Sequence, residues 1–309
     1  MKTPTSGWTR KACLAAMLLM SYVTLSNASA TSSAQFLKMG AGARAAGMAD
    51  AFSAVADDVT AGYWNPAGLQ QISSPEMSVM QNNSLVETQY QYAGAALPMG
   101  RSAIGLSLFS MNYGSIDRYS ASDAKDGSFS AGSMAGSLTL SSQLREGLNF
   151  GISTKYIQEK IENESATGFA ADIGLLMKTG AARWSATVQH LGPQMKFIQE
   201  KSSLPLTFRL GSSATVMNKS LTVALDAIKP NDSALSIAGG VEYKPVSMIT
   251  FRGGYKLQTS NSVKADNSTG LTAGLGVNVG AFILDYAFVP FGDLGNTHRF
   301  SLLVKFHQK

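Results

Sequence analysis

The stretch Leu148-Asn-Phe-Gly-Ile-Ser-Thr-Lys-Tyr156 (LNFGISTKY, residues 148–156) decides the fold. Leu148, Phe150, Ile152 and Tyr156 share one parity, and Asn149, Gly151, Ser153 and Lys155 share the other. A period of two marks a β-strand between unlike environments, because successive side chains leave opposite faces of the sheet. The pattern recurs in SAIGLSLFS (102–110), TFRLGSS (207–213), TVALDA (222–227), SIAGGVEY (236–243) and ITFRGGYKL (249–257). It continues in LTAGLGVNV (271–279), FILDYAF (282–288) and RFSLLVKF (299–306). About fourteen strands are expected, at 77–85, 88–97, 102–112, 128–140, 147–157, 167–177, 182–190, 205–215, 220–228, 234–243, 248–257, 270–279, 281–289 and 298–306.

The connections supply a second reading. PMGR, SSQLREG, KTGAA, VMNKS, YKPVS and NVGA are tight, and the links at 113–127, 158–166, 191–204, 229–233, 258–269 and 290–297 are longer. Tight and long links alternate down the chain, as in outer-membrane barrels with short periplasmic turns and longer outside loops. An even strand number places both ends of the barrel on the periplasmic side. Charge follows the same parity. Lys155, Asp172, Arg183, Arg209, Asp226, Glu242, Arg252, Lys256, Asp285, Arg299 and Lys305 all fall opposite the apolar face. A lysine or arginine facing lipid at mid-membrane costs about 2–4 kcal/mol. A β-sandwich segregates charge in the same way. The barrel is favoured by the length of the alternating run, by Tyr156, Trp184, Tyr255 and Tyr286 on the apolar face as interfacial girdle residues, and by a polar face rich in Gly, Ser and Asn. The fold expected is therefore all-β: a transmembrane antiparallel barrel of about fourteen strands over residues 76–309, with a small α-helical plug over 31–75.

Composition agrees. Charged residues are 15% of the chain, below the roughly 25% of soluble domains. Residues 1–30 read as a secretory signal peptide, with Lys2, Arg10 and Lys11, the apolar run ACLAAMLLMSYVTL, and a small-residue cleavage site at Ala28-Ser-Ala30. Removing that segment takes away three basic groups and the single cysteine, Cys13, leaving 22 basic against 20 acidic residues. Neither a nucleic-acid surface nor a disulfide framework is expected.

Ahead of the strands, Gly40-Ala-Gly42-Ala-Arg44-Ala45 has the glycine spacing of a dinucleotide loop. Such a loop must join a strand to a helix inside a βαβ unit, and antiparallel strands follow here instead, so no cofactor is expected. Met48, Phe52, Val55 and Val59 fall at i, i+4, i+7 and i+11, the stripe of an amphipathic helix. Such a helix either plugs the lumen or caps the periplasmic mouth. Pro66 disfavours a helical Asn65, and Gly68 permits a turn toward the first strand.

The stretch GARAAGMADAFSAVADDVTAGYWNPAGL (42–69) resembles the N-terminal signature of the PorV/PorQ family of outer-membrane proteins, relatives of the FadL-type transporters. DYAFVPFGDLGNTHRFSLLVKF (285–306) is similar to that family's closing hairpin. The resemblance implies a fourteen-stranded barrel whose N-terminal segment folds at or into its periplasmic mouth. An Asn-Pro-Ala element belongs to that plug, here Asn65-Pro66-Ala67. It also implies a place in type IX secretion, with FadL-like passage of hydrophobic small molecules as the alternative.

No metal cluster, Gly-x-Ser-x-Gly elbow or other catalytic motif emerges from His190, His298, His307 and the carboxylates, and no enzyme is expected. The plug and possible ligand path comprise Arg44, Met48, Phe52, Val55, Trp64, Asn65, Pro66, Ala67 and Gly68. The lumen charges either line a polar conduit or pair with one another and with the plug. Phe197 and Ile198 in loop 191–204, and Phe291 and Leu294 in loop 290–297, are candidate contacts for a partner or folds of the loops over the mouth. Expected partners are outer-membrane lipid, the barrel-insertion machinery, and secreted proteins, secretion components or hydrophobic small molecules.

Overall fold

The computed structural model describes residues 32–83, 88–120, 123–259, 270–290 and 295–306. Its strands are β1 (Glu76–Asn83), β2 (Gln89–Met99), β3 (Ser102–Tyr119), β4 (Lys125–Arg145), β5 (Leu148–Ile161), β6 (Glu164–Thr179), β7 (Ala182–Leu191), β8 (Met195–Phe197), β9 (Glu200–Ser202), β10 (Thr207–Val216), β11 (Leu221–Pro230), β12 (Ser236–Val246), β13 (Ile249–Gln258), β14 (Leu271–Val279), β15 (Phe282–Pro290) and β16 (Asn296–Lys305). Fourteen of these close into an antiparallel barrel in which β7 pairs with β10, and β8 and β9 form a separate ribbon between them. The first strand pairs with the last, from Glu76 opposite Lys305 to Asn83 opposite His298. That seam leaves no sheet edge and excludes two stacked sheets.

Two solvents explain the alternation. Outside, Leu106, Leu108, Leu138, Leu140, Phe169, Trp184, Leu225, Phe251, Leu284 and Phe300 are exposed as an apolar band, which suits hydrocarbon and not water. Inside, Lys155, Asp172, Arg209, Asp226, Glu242, Arg252, Asp285 and Arg299 are buried. Arg183, Lys256 and Lys305 are half-buried.

Two of the expected loops are shorter than the alternation suggested. β3 and β4 run on to Tyr119 and from Lys125, and β5 and β6 to Ile161 and from Glu164. These extensions lose their period because both faces meet water, so polarity no longer separates them. Within loop 191–204, Met195 and Leu204 are buried, and the ribbon folds inward over the lumen.

The amphipathic helix expected from Met48 to Val59 does not form. Among the described residues only two α-helical turns are present, α1 (Ala43–Ala46) and α2 (Ala61–Trp64), with 3₁₀ turns at Gln35–Lys38 and Pro66–Gln71. Ala49 and Asp50 adopt φ of 53° and 66°, which ends α1 within one turn. The stripe argument assumed a wet side. Met48, Ala51, Phe52, Ala54, Val55 and Ala56 are all buried, so this segment is enclosed on every side.

Candidate passage and its stopper

The N-terminal segment threads the lumen from the long-loop end to the tight-turn end. At the long-loop end the Ser33 amide donates to the Ser203 carbonyl at 3.0 Å. The Ala34 amide donates to Glu159 at 3.1 Å, and Lys38 pairs with Asp232 at 3.0 Å. At the other end Gln70 Nε2 donates to the Gly100 carbonyl at 2.9 Å, and β1 begins at Glu76.

Between these ends lies an aromatic core. The Trp64 ring meets Tyr63 edge-on at 4.8 Å and Phe52 at 6.1 Å. Tyr63 contacts Phe109 at 5.6 Å, and Phe109 contacts Tyr92 at 5.0 Å. Phe36, Leu37, Tyr90 and Ile157 are fully buried in the same cluster. Trp64 Nε1 donates to the Ala41 carbonyl at 2.8 Å, so its one polar atom is satisfied. The Tyr63 hydroxyl donates to the Leu37 carbonyl at 2.8 Å, and burial raises its pKa.

Asn65 is extended, with φ −160° and ψ 105°, as the proline after it requires. Its Oδ1 accepts from the Ala67 amide at 3.1 Å, capping the 3₁₀ turn that Pro66 opens. Its Nδ2 donates to the Ser53 carbonyl at 3.0 Å and the Leu175 carbonyl at 3.1 Å, tying stopper to wall. Gly68 serves close packing rather than turning, because a Cβ there would overlap the Ala56 carbonyl. Ala67 and Val55 are buried, and the Val55 carbonyl accepts from Gln71 Nε2 at 3.0 Å.

The charged residues meet in pairs. Lys155 Nζ lies 2.6 Å from Asp172, and Arg209 lies 3.1 Å from Asp226. Arg252 reaches Glu242 at 2.8 Å and Asp285 at 2.7 Å. Others bind the stopper. Arg44 reaches Asp57 at 2.6 Å, Asp58 at 3.0 Å and Glu242 at 2.8 Å. Lys256 reaches Asp50 at 3.0 Å, and Arg299 Nη1 donates to the Met39 carbonyl at 2.9 Å. The Arg209 guanidinium also sits 5.0 Å over the Trp64 ring, and Arg44 sits 5.1 Å over Phe52. Burial alone would lower the pKa of Arg44, but Asp57, Glu242 and Asp58 outweigh it and hold it well above its ordinary value. Burial likewise pushes Asp57 and Asp50 up. Arg44 outweighs it at Asp57, and Lys256, Arg299 and Arg209 outweigh it at Asp50, leaving both below the usual carboxylate range.

A polar cavity of about 860 Å³ opens at the tight-turn end, between Arg44, Asp57 and Gln71 of the stopper and Arg183, Arg252 and Asp285 of the wall. A second concavity, about 710 Å³ and almost wholly apolar, lies on the membrane-facing wall at Met77, Val79, Ala93, Leu106, Leu138 and Phe169. The ladders beneath it run unbroken, from Glu76 opposite Ala96 to Asn83 opposite Gln89, and from Gln89 opposite Asn112 to Met99 opposite Ser102. Phe197 is half-buried and packs against the core. Ile198 is 63% exposed at the ribbon tip. Phe291 and Leu294 lie outside the described residues.

Several interior groups escaped the reading by pattern. Asp50 belongs to the ion-pair network, and Tyr63, Asn82, Tyr90 and Tyr92 to the interior. The inward parity of Asn82, Tyr90 and Tyr92 was the available signal.

No protein-family model matches the chain, and no curated protein matches it. Solved structures do. The CymD monoaromatic hydrocarbon channel superposes with a TM-score of 0.66 at 12% identity, covering 87% of this chain and 98% of its own. A Pseudomonas aeruginosa FadL homologue gives 0.60 at 12% identity, over 86% and 98%. The Pseudomonas putida toluene transporter TodX gives 0.60 at 13% identity, over 86% and 97%. The chain therefore has the FadL-like outer-membrane barrel fold. The expectation of a PorV/PorQ protein serving type IX secretion is corrected by these findings. The structures sharing the fold are described as hydrocarbon channels and transporters, and no family model ties the chain to PorV/PorQ. Phe197 and Ile198 accordingly have no support as contacts for secretion partners.

Proposed function

We propose that the chain is a non-enzymatic outer-membrane passage for small hydrophobic molecules, with its N-terminal segment as the stopper that shifts to let them through. The observation that carries this reading is the aromatic core at the heart of the stoppered lumen, where Phe36, Tyr63, Trp64, Tyr90 and Phe109 are buried together. The likeness to hydrocarbon channels supports it. An apolar molecule arriving between the outer loops gains about 25 cal/mol for each Å² it hides from water, and aromatic surface offers that gain. The cavity below, lined by Arg44, Asp57, Arg183, Arg252 and Asp285, offers less. A hydrophobic cargo therefore leaves sideways, toward the apolar concavity over β1–β6, where Ala93, Gly94, Ala95 and Gly136 keep side chains small. Such an exit requires a local opening of the ladders there.

The test is initial uptake of labelled p-xylene by cells stripped of their own hydrocarbon channels, with and without this protein in the outer membrane. Expression should raise the rate several-fold. A rate equal to that of empty cells, with the folded barrel present in the outer membrane, overturns the reading.

A further inference from the structure

Three polar side chains form one inward row across the β1/β16 seam. Asn82 stands opposite Arg299 on one side and opposite Tyr90 on the other. Directly paired residues hold their Cβ atoms about 5 Å apart, so the three groups are neighbours. Asn82 is 0% exposed, Tyr90 1% and Arg299 4%. Among the described residues, both atoms of the Asn82 amide, the Tyr90 hydroxyl and Arg299 Nε have no hydrogen-bond partner. Interiors satisfy such groups almost without exception, and these three are adjacent rather than scattered. The stopper faces them at the kink where Gly40 has φ +83° and where Met39 accepts from Arg299. Apolar surface adjoins them, with the Phe109 ring stacked 6.4 Å from Tyr90.

We infer that this row recognises the neutral oxygen group of a phenol-like small molecule. The inference rests on the passage reading and names its substrate class. The chemistry selects a hydroxyl. The Asn82 amide and the Tyr90 hydroxyl each both donate and accept, and Arg299 Nε donates only. A hydroxyl gives its proton to Asn82 Oδ1 and accepts from Arg299 Nε or Tyr90. A carboxylate has no proton to give and leaves Asn82 Oδ1 orphaned. A plain hydrocarbon leaves every one of these atoms unpaired. Phe109 is covered by Tyr63 of the seated stopper, and the aromatic body of a phenol takes the place of that ring when the stopper shifts.

Equilibrium dialysis of the purified full-length protein in detergent, against labelled p-cresol, p-xylene and p-toluate, tests this. The three probes differ only in one ring substituent. Wild type should bind p-cresol roughly tenfold more tightly than p-xylene, the discrimination expected of about one or two buried hydrogen bonds. Tyr90→Phe removes a single atom and keeps the ring, and Asn82→Leu removes the amide. Each should bring the cresol-to-xylene ratio down toward one, with heat-modifiable migration confirming a closed barrel. A wild-type ratio near one, a ratio that neither variant moves, or tightest binding of p-toluate overturns the inference. Any of these outcomes together with p-xylene uptake in cells sinks only the substrate class. Loss of p-xylene uptake sinks the passage as well.

Discussion

Glycine marks where the wall touches the stopper. A Cβ on Gly174 would overlap the Asn65 side-chain oxygen, and one on Gly151 would overlap the Pro66 backbone. A Cβ on Gly240 would stand 2.6 Å from the Met48 carbonyl. The sheet thus has recesses into which the stopper backbone fits. Filling one with Gly174→Val should cost about 1–3 kcal/mol through overpacking. It should also leave residues 32–72 open to protease while the barrel still migrates as a folded species. Equal protease resistance in wild type and variant would show that the recess is unused. The inward position of these glycines could be read in the sequence. Their purpose could not, because a glycine in a lumen looks the same whether it faces water or another backbone. The lumen charges were similarly legible as a set, since parity puts Lys155 and Asp172 inside. That they meet each other at 2.6 Å depends on the register between β5 and β6.

Period two survives wherever a strand separates hydrocarbon from lumen, which is why the fourteen barrel strands were legible, while β8 and β9 fall in the stretch read as loop 191–204. It fades where β3 and β4 rise beyond the bilayer, and there the sequence reads as loop. The stopper was less legible. Its apolar residues recur at helical spacing, yet burial on all sides lets turns replace the helix, and Arg44 takes over the holding role that a helix ladder would have had. Arg44 is the sole side chain of α1 that binds both Asp57 and the wall residue Glu242. Arg44→Gln should destabilise the seated stopper by roughly 3 kcal/mol, the scale set by breaking a buried ion pair. Acid should act through the same contacts. Asp57 and Asp50 have carboxyl pKa values below the ordinary range in the folded state. The stability they confer is complete above the unfolded value of about 3.9 and is lost as pH falls through the lower folded values. Thermal melts from pH 7 to pH 3 should therefore show wild type losing Tm below about pH 4. Arg44→Gln should lose less over that window, because Asp57 is no longer held down. An equal acid loss in both proteins would remove Arg44 from this role.

At the scale of the whole molecule the question is whether the stopper moves. Ser53 and Ser185 place their hydroxyl oxygens 2.8 Å apart, one on the stopper and one on β7. Residues 31–309 contain no cysteine, so Ser53→Cys with Ser185→Cys supplies a single reversible tether. Oxidised cells should take up p-xylene at the background rate, and a reductant should restore it. Undiminished uptake with the tether formed would mean that cargo passes a fixed stopper. The seam between the first and last strands carries a consequence for assembly. Residues 32–72 lie inside a ring that β1 and β16 complete. The staves of a cask are drawn together around whatever stands within. If the final hoop tightens around residues 32–72, that segment is the former on which the cylinder is wound as well as its bung.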